Sequence, residues 1–161
     1  MSIHRHRIWR IATRGPTWRA DDLSGSGSAQ DPGRWNSSGV PVVYASTSIA
    51  LACLETLVHL SGDQGLPLQR WLVAIDIPVD HWQQRISLNP DDLRGWDATP
   101  PEIASKAWGD RWIGRQQSLL AAVPSVIVPE EQNVLINPAH PGLRDLQAIV
   151  IRPWTYDSRL R

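Results

Sequence analysis

The 161-residue chain contains a single cysteine, a single lysine and no phenylalanine. The lone cysteine, Cys53, excludes an intrachain disulfide framework and any cysteine-rich metal site. The longest strongly apolar run, residues 49–54, is far shorter than the roughly twenty residues that a membrane-spanning helix needs. The first residues are polar and basic and lack the apolar segment of a secretory signal. These absences predict a soluble cytoplasmic protein that does not contact membranes.

The chain also has no excess of positive or negative charge, because sixteen Lys and Arg residues balance sixteen Asp and Glu residues. A protein that binds nucleic-acid backbones is usually basic, so direct nucleic-acid binding is disfavoured. A hydrophobic content of 42% in a chain of one domain's length predicts a single domain over residues 1–161. Nine tryptophans and fifteen arginines are typical of a GC-rich genome, but they also suit a pocket for a flat anionic ligand.

The pattern of apolar residues predicts a mixture of helices and strands without regular βαβ alternation. The predicted strands are 7–12, 40–46, 70–77, 118–123, 125–128, 133–136 and 147–151. The predicted helices are 47–60, capped by Ser46 or Thr47 and ended by Gly62, a short helix opening at 89–93, and 99–117 with a possible irregularity at Gly109 or Gly114. A long polar loop rich in glycine and serine spans 21–39. This order predicts an α+β domain with a mixed or mostly antiparallel sheet.

The first predicted helix carries a carboxylate on its apolar stripe. Leu51, Leu54 and Val58 have the spacing of one buried helix face, and Glu55 lies on the same stripe. Because an unpaired buried charge costs several kcal/mol, Glu55 is either solvated at the edge of the stripe or faces a cavity where it has partners. His59 follows one turn later, where it can contact Glu55 or simply stabilise the end of the helix.

Three polar residues follow one another at similar spacing. Arg34 lies in a glycine-flanked loop, Tyr44 ends a predicted strand and Glu55 lies in the next helix. Further characteristic stretches are Leu23 to Gly27, Gly33 to Ser46, Ala50 to Leu60, Gly109 to Trp112, Val123 to Glu130 and Asn133 to Pro141. In this ordered succession the chain resembles the RES domain family over roughly residues 7–157.

The resemblance implies a fold like that of the ADP-ribosyltransferases and a role as the toxin of a bacterial toxin–antitoxin pair. Members of the family consume NAD⁺ by hydrolysis, by phosphorolysis or by transfer of ADP-ribose to a protein. The resemblance therefore implies NAD⁺ as the substrate and an Xre-type antitoxin with a DUF2384 region as the partner. It also implies homodimers, and contact with nucleic acid only through the antitoxin.

The resemblance also implies which residues act. The family's functional residues carry over to Arg34, Tyr44, Glu55 and, for its serine, Ser125, with Ser46 and Ser118 as alternatives. His59 is a further candidate for substrate binding because it lies one turn beyond Glu55.

The residue types suit this chemistry independently of the resemblance. Nicotinamide leaves NAD⁺ as a neutral molecule, so the reaction needs no general acid and can run with one carboxylate. Glu55 can stabilise the oxocarbenium-like ribosyl cation, and Arg34 can bind the pyrophosphate through paired hydrogen bonds. Tyr44 can stack on the nicotinamide ring, and Ser125 can exchange one hydrogen bond with the ribose or the amide.

We therefore expect an NAD⁺-dependent ADP-ribosyltransferase with a protein acceptor, ahead of an NAD⁺ hydrolase or phosphorylase that depletes the cell of NAD⁺. Two other classes stay open. A ribonuclease toxin would use Arg34, Glu55 and His59, but the balanced charge disfavours it. A non-enzymatic module would bind a partner peptide in a polar groove.

No metal is expected, because no His, Cys and Asp cluster has the spacing of metal ligands. A Rossmann dehydrogenase is unsupported, because no glycine-rich dinucleotide fingerprint follows a strand.

Overall fold

The computed structural model describes residues 4–59 and 69–160. Its strands are β1 (Arg5–Thr13), β2 (Val43–Ser46), β3 (Arg70–Pro78), β4 (Ile86–Ser87), β5 (Leu120–Pro124), β6 (Gln132–Ile136) and β7 (Gln147–Trp154). Its helices are α1 (Ser26–Gln30), α2 (Ile49–Leu57), α3 (Val79–Gln83) and α4 (Ile103–Arg115), with 3-10 helices at Pro90–Asp92 and Pro141–Asp145. In the described ranges, no helix is both long enough and apolar enough to cross a membrane.

The seven strands form one sheet in the order β4-β5-β6-β2-β1-β3-β7. Strands β4 and β5 are parallel, and the other neighbouring pairs are antiparallel. The prediction of an α+β fold with a mixed, mostly antiparallel sheet is confirmed. Strand β2 lies in the middle, between β1 and β6, although β6 follows it by more than eighty residues.

The two faces of the sheet are packed differently. One face carries a single large core cluster, whose members include Ile8, Val43, Ala45, Val73, Ile75, Ile77, Val134 and Ile136. On the other face, α4 covers a cluster that contains Trp35, and α2 covers a separate cluster that contains Cys53. Because successive side chains of a strand point to opposite faces, Tyr44 and Ser46 of β2 lie on this second face. The sheet thus presents polar side chains at the boundary between the two clusters.

Helix α2 begins later than the sequence predicts. Its N-cap is Ser48, whose hydroxyl oxygen accepts a hydrogen bond from the backbone N–H of Leu51 at 3.1 Å. The predicted caps Ser46 and Thr47 are wrong, because the Ser46 hydroxyl is committed to a partner across the sheet and Thr47 donates to a backbone carbonyl. Gly62, the predicted end of the helix, lies outside the described residues.

The buried face of α2 also differs from the predicted stripe. Leu51 is buried, but Leu54 and Val58 are exposed, and the helix buries Ala52 and Cys53 against the sheet instead. Small side chains on this face let the helix lie close to β1 and β2. The helix is therefore rotated about its axis relative to the prediction. Leu54, at the centre of the predicted stripe, faces solvent, and Glu55 beside it is half-buried.

Three other predicted elements are changed by the tertiary structure. The predicted strand 125–128 is a turn, because Ser125 caps the backbone N–H groups of Ile127 and Val128 at 3.1 Å each. The polar loop 21–39 contains the short helix α1. Helix α4 begins only after Pro101 and runs through both of its internal glycines without a break.

Candidate functional site

Glu55 is held from two sides by hydrogen-bond donors. It lies in the last turn of α2, and its Oε1 accepts from the Ser125 hydroxyl at 2.7 Å and from Asn133 Nδ2 at 2.6 Å. Within the described ranges, its Oε2 accepts no hydrogen bond from protein. The structure therefore shows the partnered carboxylate and not the solvated one. One oxygen is anchored, and the other is available to a ligand.

Ser125 acts on Glu55 through a hydroxyl that has no spare capacity. The side chain is fully buried, donates to Glu55 and accepts from the N–H groups of Ile127 and Val128. A hydroxyl has one proton and two lone pairs, so all of them are used. The expected hydrogen bond from Ser125 to the ribose or the amide is not compatible with this arrangement.

The two alternative serines have different partners. Ser118 accepts from the Trp112 indole N–H at 3.0 Å and donates to the carbonyl of Leu120, so it joins α4 to β5. Ser46 donates to Asn133 Oδ1 at 2.7 Å. Of the three serines, Ser125 is the one that contacts Glu55.

Arg34 is anchored by two backbone carbonyls on the neighbouring loop. Its Nη1 donates to the carbonyls of Trp96 at 2.9 Å and Ala98 at 2.7 Å. Burial lowers the pKa of the Arg34 guanidinium, and the nearby charges of Glu55 and Asp97 oppose that effect. Arg34 and Glu55 therefore share one electrostatic environment. Nε and Nη2 of Arg34 donate to none of the residues described, and they form the edge of the guanidinium that can bind an anion.

Tyr44 fixes the backbone of the Arg34 loop. Its hydroxyl accepts from the backbone N–H of Trp35 at 3.0 Å and donates to Asn36 Oδ1 at 2.6 Å. A Cβ atom at Gly33 would lie 2.8 Å from the Tyr44 ring and hydroxyl, so only glycine fits there. Burial is the main cause that raises the pKa of Tyr44, so the phenol is neutral. The hydroxyl thus holds the loop rather than lying in water.

Helix α4 supports the same loop from behind. A Cβ atom at Gly109 would lie 1.7 Å from the carbonyl oxygen of Trp35, so the helix backbone touches the loop directly. The next residue, Asp110, accepts from the backbone N–H of Ser37 at 2.9 Å. The predicted irregularity at Gly109 is wrong, because the glycine serves a close contact inside a continuous helix. Trp35 is nearly fully buried in the core cluster beneath α4.

Not every predicted residue joins this arrangement. His59 lies beyond the end of α2 with an exposed side chain, which forms no hydrogen bond with Glu55 or any other residue in the described ranges. A role for His59 in substrate binding stays a prediction. A surface cavity of about 740 Å³ lies elsewhere, beside Trp18, Asp22 and Ser26, and none of the predicted site residues lines it.

Sequence reasoning missed two asparagines that connect the site. Asn36 is fully buried, accepts from Tyr44 and Gly33 and holds the Arg34 loop together. Asn133 links Glu55 to the sheet. Both lie within the stretches that characterise the sequence, but their roles depend on contacts that a single sequence does not reveal.

Comparison with known proteins finds one matching family model and several similar toxins. The family model described as "RES domain" matches residues 7–158. The chain is 50% identical over 154 residues to the "Prs ADP-ribosylating toxin" of Sphingobium sp. (strain YBL2), and the match covers 95% of each chain. It is 38% identical over 155 residues to "Toxin Res" of Pseudomonas putida, which covers 95% of this chain and 98% of the relative. It is 31% identical over 156 residues to "Toxin Res" of Yersinia enterocolitica, which covers 96% and 99%.

Proposed function

The chain belongs to the RES domain family, and we propose on that basis that it is a toxin that cleaves the nicotinamide–ribose bond of NAD⁺ and transfers ADP-ribose to a protein. The name of the relative that is 50% identical, an ADP-ribosylating toxin, supports the transfer reaction. The observation that carries the proposal is that Arg34 lies within reach of the charge of Glu55. Each is anchored through one side and, among the residues that the structure describes, has polar atoms without a protein partner on the other.

The residues present fit a dinucleotide with a negatively charged pyrophosphate. The two carbonyls that hold Arg34 Nη1 leave the Nε and Nη2 edge, whose two parallel N–H groups match two phosphate oxygens. Because the guanidinium is partly shielded from water, its attraction to an anion is stronger than at an open surface. Arg34 thus binds the pyrophosphate in the proposed complex.

Glu55 acts on the ribose. When the bond between the ribose C1′ and the nicotinamide nitrogen breaks, its electron pair stays on the ring, which leaves as neutral nicotinamide. The ribose becomes an oxocarbenium-like cation, and a carboxylate that is already oriented stabilises that charge without reorganisation. The acceptor then forms a bond to C1′ and releases its proton to water.

The surroundings of Glu55 support a protein acceptor rather than water. Leu54, which precedes Glu55, is 37% exposed, and Val58, one turn later, is 60% exposed. Ile127, whose backbone N–H binds Ser125, is 36% exposed. Neighbouring exposed aliphatic side chains suit contact with another protein. A small acceptor such as water or phosphate needs no such surface.

An inhibitory partner can act at the other part of the site, around Arg34 and Tyr44. The relatives named "Toxin Res" support an antitoxin partner, and the family resemblance implies one of the Xre type with a DUF2384 region. We infer that this antitoxin silences the toxin by covering Arg34 and Tyr44. Homodimers are a further expectation from the resemblance. A crosslinking map that places the antitoxin away from both residues, with NAD⁺ still binding in the complex, would contradict the inference.

The reaction is tested with purified protein, NAD⁺ labelled in its ADP-ribose part and an extract of host proteins. We expect release of nicotinamide together with label on a protein. Release without labelled protein would indicate an NAD⁺ hydrolase, and release that requires phosphate would indicate a phosphorylase. RNA cleavage without nicotinamide release would support the ribonuclease alternative, and no reaction would support a binding module.

The role of Arg34 is tested by calorimetric titration with NAD⁺. Loss of a charge-assisted pair costs about 1.5–3 kcal/mol, so Arg34→Ala should lower the affinity roughly ten- to a hundredfold. Arg34→Lys should not restore it fully, because lysine lacks the planar fork that serves both the carbonyls and the phosphate. Arg111→Ala, at an exposed position of α4, is the control. Unchanged affinity in Arg34→Ala would remove the assignment.

A further inference from the structure

The donor that reaches Glu55 from the sheet belongs to a longer chain of hydrogen bonds. Asn133 lies in β6, where it is paired in register with Ser46 of β2 on one side and with Val123 of β5 on the other. Its backbone is therefore fixed by the centre of the sheet. Its side chain lies between the Ser46 hydroxyl, at 2.7 Å from Oδ1, and Glu55 Oε1, at 2.6 Å from Nδ2.

The direction of this chain follows from the chemistry of its groups. An ionised carboxylate only accepts hydrogen bonds, so the group of Asn133 that faces Glu55 is its NH₂. The amide oxygen then faces Ser46, a residue that is 3% exposed and whose hydroxyl donates to it. A flipped amide would place its oxygen against the carboxylate and lose the hydrogen bond to Glu55, although its NH₂ could still donate to the Ser46 hydroxyl. The chain thus runs in one direction, from Ser46 through Asn133 to Glu55.

A chain of this kind controls orientation. Donation into Oδ1 polarises the amide and strengthens the N–H that Asn133 offers to Glu55. This donor and the Ser125 hydroxyl converge on Oε1, so together they determine which carboxylate oxygen stays free. Ser125 alone would leave the carboxylate free to turn about that single contact.

We propose that Ser46 and Asn133 are positioning residues, a two-residue relay that orients the carboxylate of Glu55 beside the nicotinamide–ribose bond. The proposal rests on the proposed function, in which Glu55 stabilises the ribosyl cation. It assigns catalytic consequences to two side chains that need not touch NAD⁺. Their loss lowers kcat and leaves binding of NAD⁺ nearly unchanged, because the cation exists only in the transition state.

The test is a double-mutant cycle on nicotinamide release at saturating NAD⁺. Loss of a hydrogen bond to a charged group predicts that Asn133→Ala lowers kcat about ten- to a hundredfold, and loss of a neutral one predicts that Ser46→Ala lowers it about three- to tenfold. Because Ser46 acts only through Asn133, Ser46→Ala should cost nothing further in the Asn133→Ala background. In all of these variants the KM for NAD⁺ should change less than about threefold, because neither side chain needs to touch NAD⁺.

Two further variants keep the result decisive. Asn133→Asp has the same size and serves if Asn133→Ala does not fold; it sets a carboxylate against Glu55 Oε1 and should lose at least as much kcat. Ser105→Ala removes another buried serine hydroxyl, one that donates to the carbonyl of Glu102 just before α4, and should leave kcat unchanged.

The outcomes separate the relay from the proposed function. If the wild-type protein releases no nicotinamide, the proposed function itself fails. If it does, wild-type kcat in Asn133→Ala or Asn133→Asp overturns the relay. Equal losses from Ser46→Ala in both backgrounds also overturn it, because independent structural effects are additive and a relay is not.

Discussion

Replacing Glu55 with glutamine removes the charge of this side chain and keeps its shape. The glutamine carbonyl oxygen can occupy the place of Oε1 and accept from Ser125 and Asn133, while the NH₂ takes the place of Oε2. The reverse orientation would set the NH₂ against the Asn133 NH₂. The variant should therefore hold one orientation and fold like the wild-type protein.

The expected cost to stability is small. Two hydrogen bonds to a carboxylate become hydrogen bonds to a neutral amide, which weakens each by about 1 kcal/mol. The half-buried position of Glu55 offsets part of that loss, because the neutral side chain is easier to bury. For a chain of this length 1 kcal/mol corresponds to roughly 2–4 °C in Tm, so Tm should fall by less than about 8 °C.

The expected cost to catalysis is much larger. A preoriented carboxylate stabilises an adjacent cation in a water-poor site by several kcal/mol, and each 1.36 kcal/mol is a factor of ten in rate. Nicotinamide release should therefore fall about a thousandfold or more. Affinity for NAD⁺ should change far less, because the ribose carries its full positive charge only in the transition state.

The assay measures nicotinamide release, calorimetric NAD⁺ affinity, Tm and host growth arrest for Glu55→Gln beside Glu130→Gln, which alters an exposed carboxylate in the turn after β5. We expect the control to match the wild type in all four. A folded Glu55→Gln protein that releases nicotinamide at the wild-type rate would refute the role of the charge. A variant that does not fold would show instead that the carboxylate is needed for structure.

Two further predictions concern stability. Gly109→Ala should destabilise the protein by about 1–3 kcal/mol or more, because its Cβ would overlap the Trp35 carbonyl, whereas Gly114→Ala in the same helix meets nothing within 4 Å and should stabilise by about 0.5–1 kcal/mol. Equal Tm changes for the two variants would contradict this. Burial and a neighbouring histidine lower the pKa of His140, so stability should fall as pH drops below about 6.5, where the unfolded chain takes up a proton that the folded one resists. His140→Asn keeps an acceptor for the Gly142 N–H and should reduce the dependence of Tm on pH between 7.5 and 5.5.

Local sequence patterns are enough to predict the fold class. The wrong predictions of helix caps and strands arise where contacts with residues distant in sequence determine the local structure. Strands β1 and β3 are rich in β-branched and aromatic residues, such as the apolar run 71–75 of β3, so a single sequence predicts them well. Three consecutive hydroxyl residues precede α2, and which of them caps it depends on a partner 87 residues away, since Asn133 engages Ser46. The β-branched residues 126–128 favour a strand, but the Ser125 hydroxyl accepts from the N–H groups of Ile127 and Val128 and the chain turns there instead.

The candidate site was partly predictable for a similar reason. Arg34, Tyr44 and Glu55 were predicted from the family resemblance together with chemistry that suits their side chains. Local spacing placed Glu55 beside the core but left its environment open. The residue that resolves this is Asn133, 78 positions further along the chain. The periodicity of one sequence does not predict that Asn133 lies beside Glu55. The contact follows from the register of the sheet, which pairs Asn133 with Ser46.

The position of β6 beside β2 means that the Glu55 site is completed late in the synthesis of the chain. Arg34, Tyr44 and Glu55 leave the ribosome early, whereas Ser125 and Asn133 follow Glu55 by 70 and 78 residues. Until β6 is synthesised, β2 has an open edge and the carboxylate lacks the Asn133 donor. A fragment that ends before β6 carries the arginine, the tyrosine and the glutamate but not the arrangement that makes them act together. Under the proposed function we therefore expect translation that stops before β6 to yield a product without toxicity.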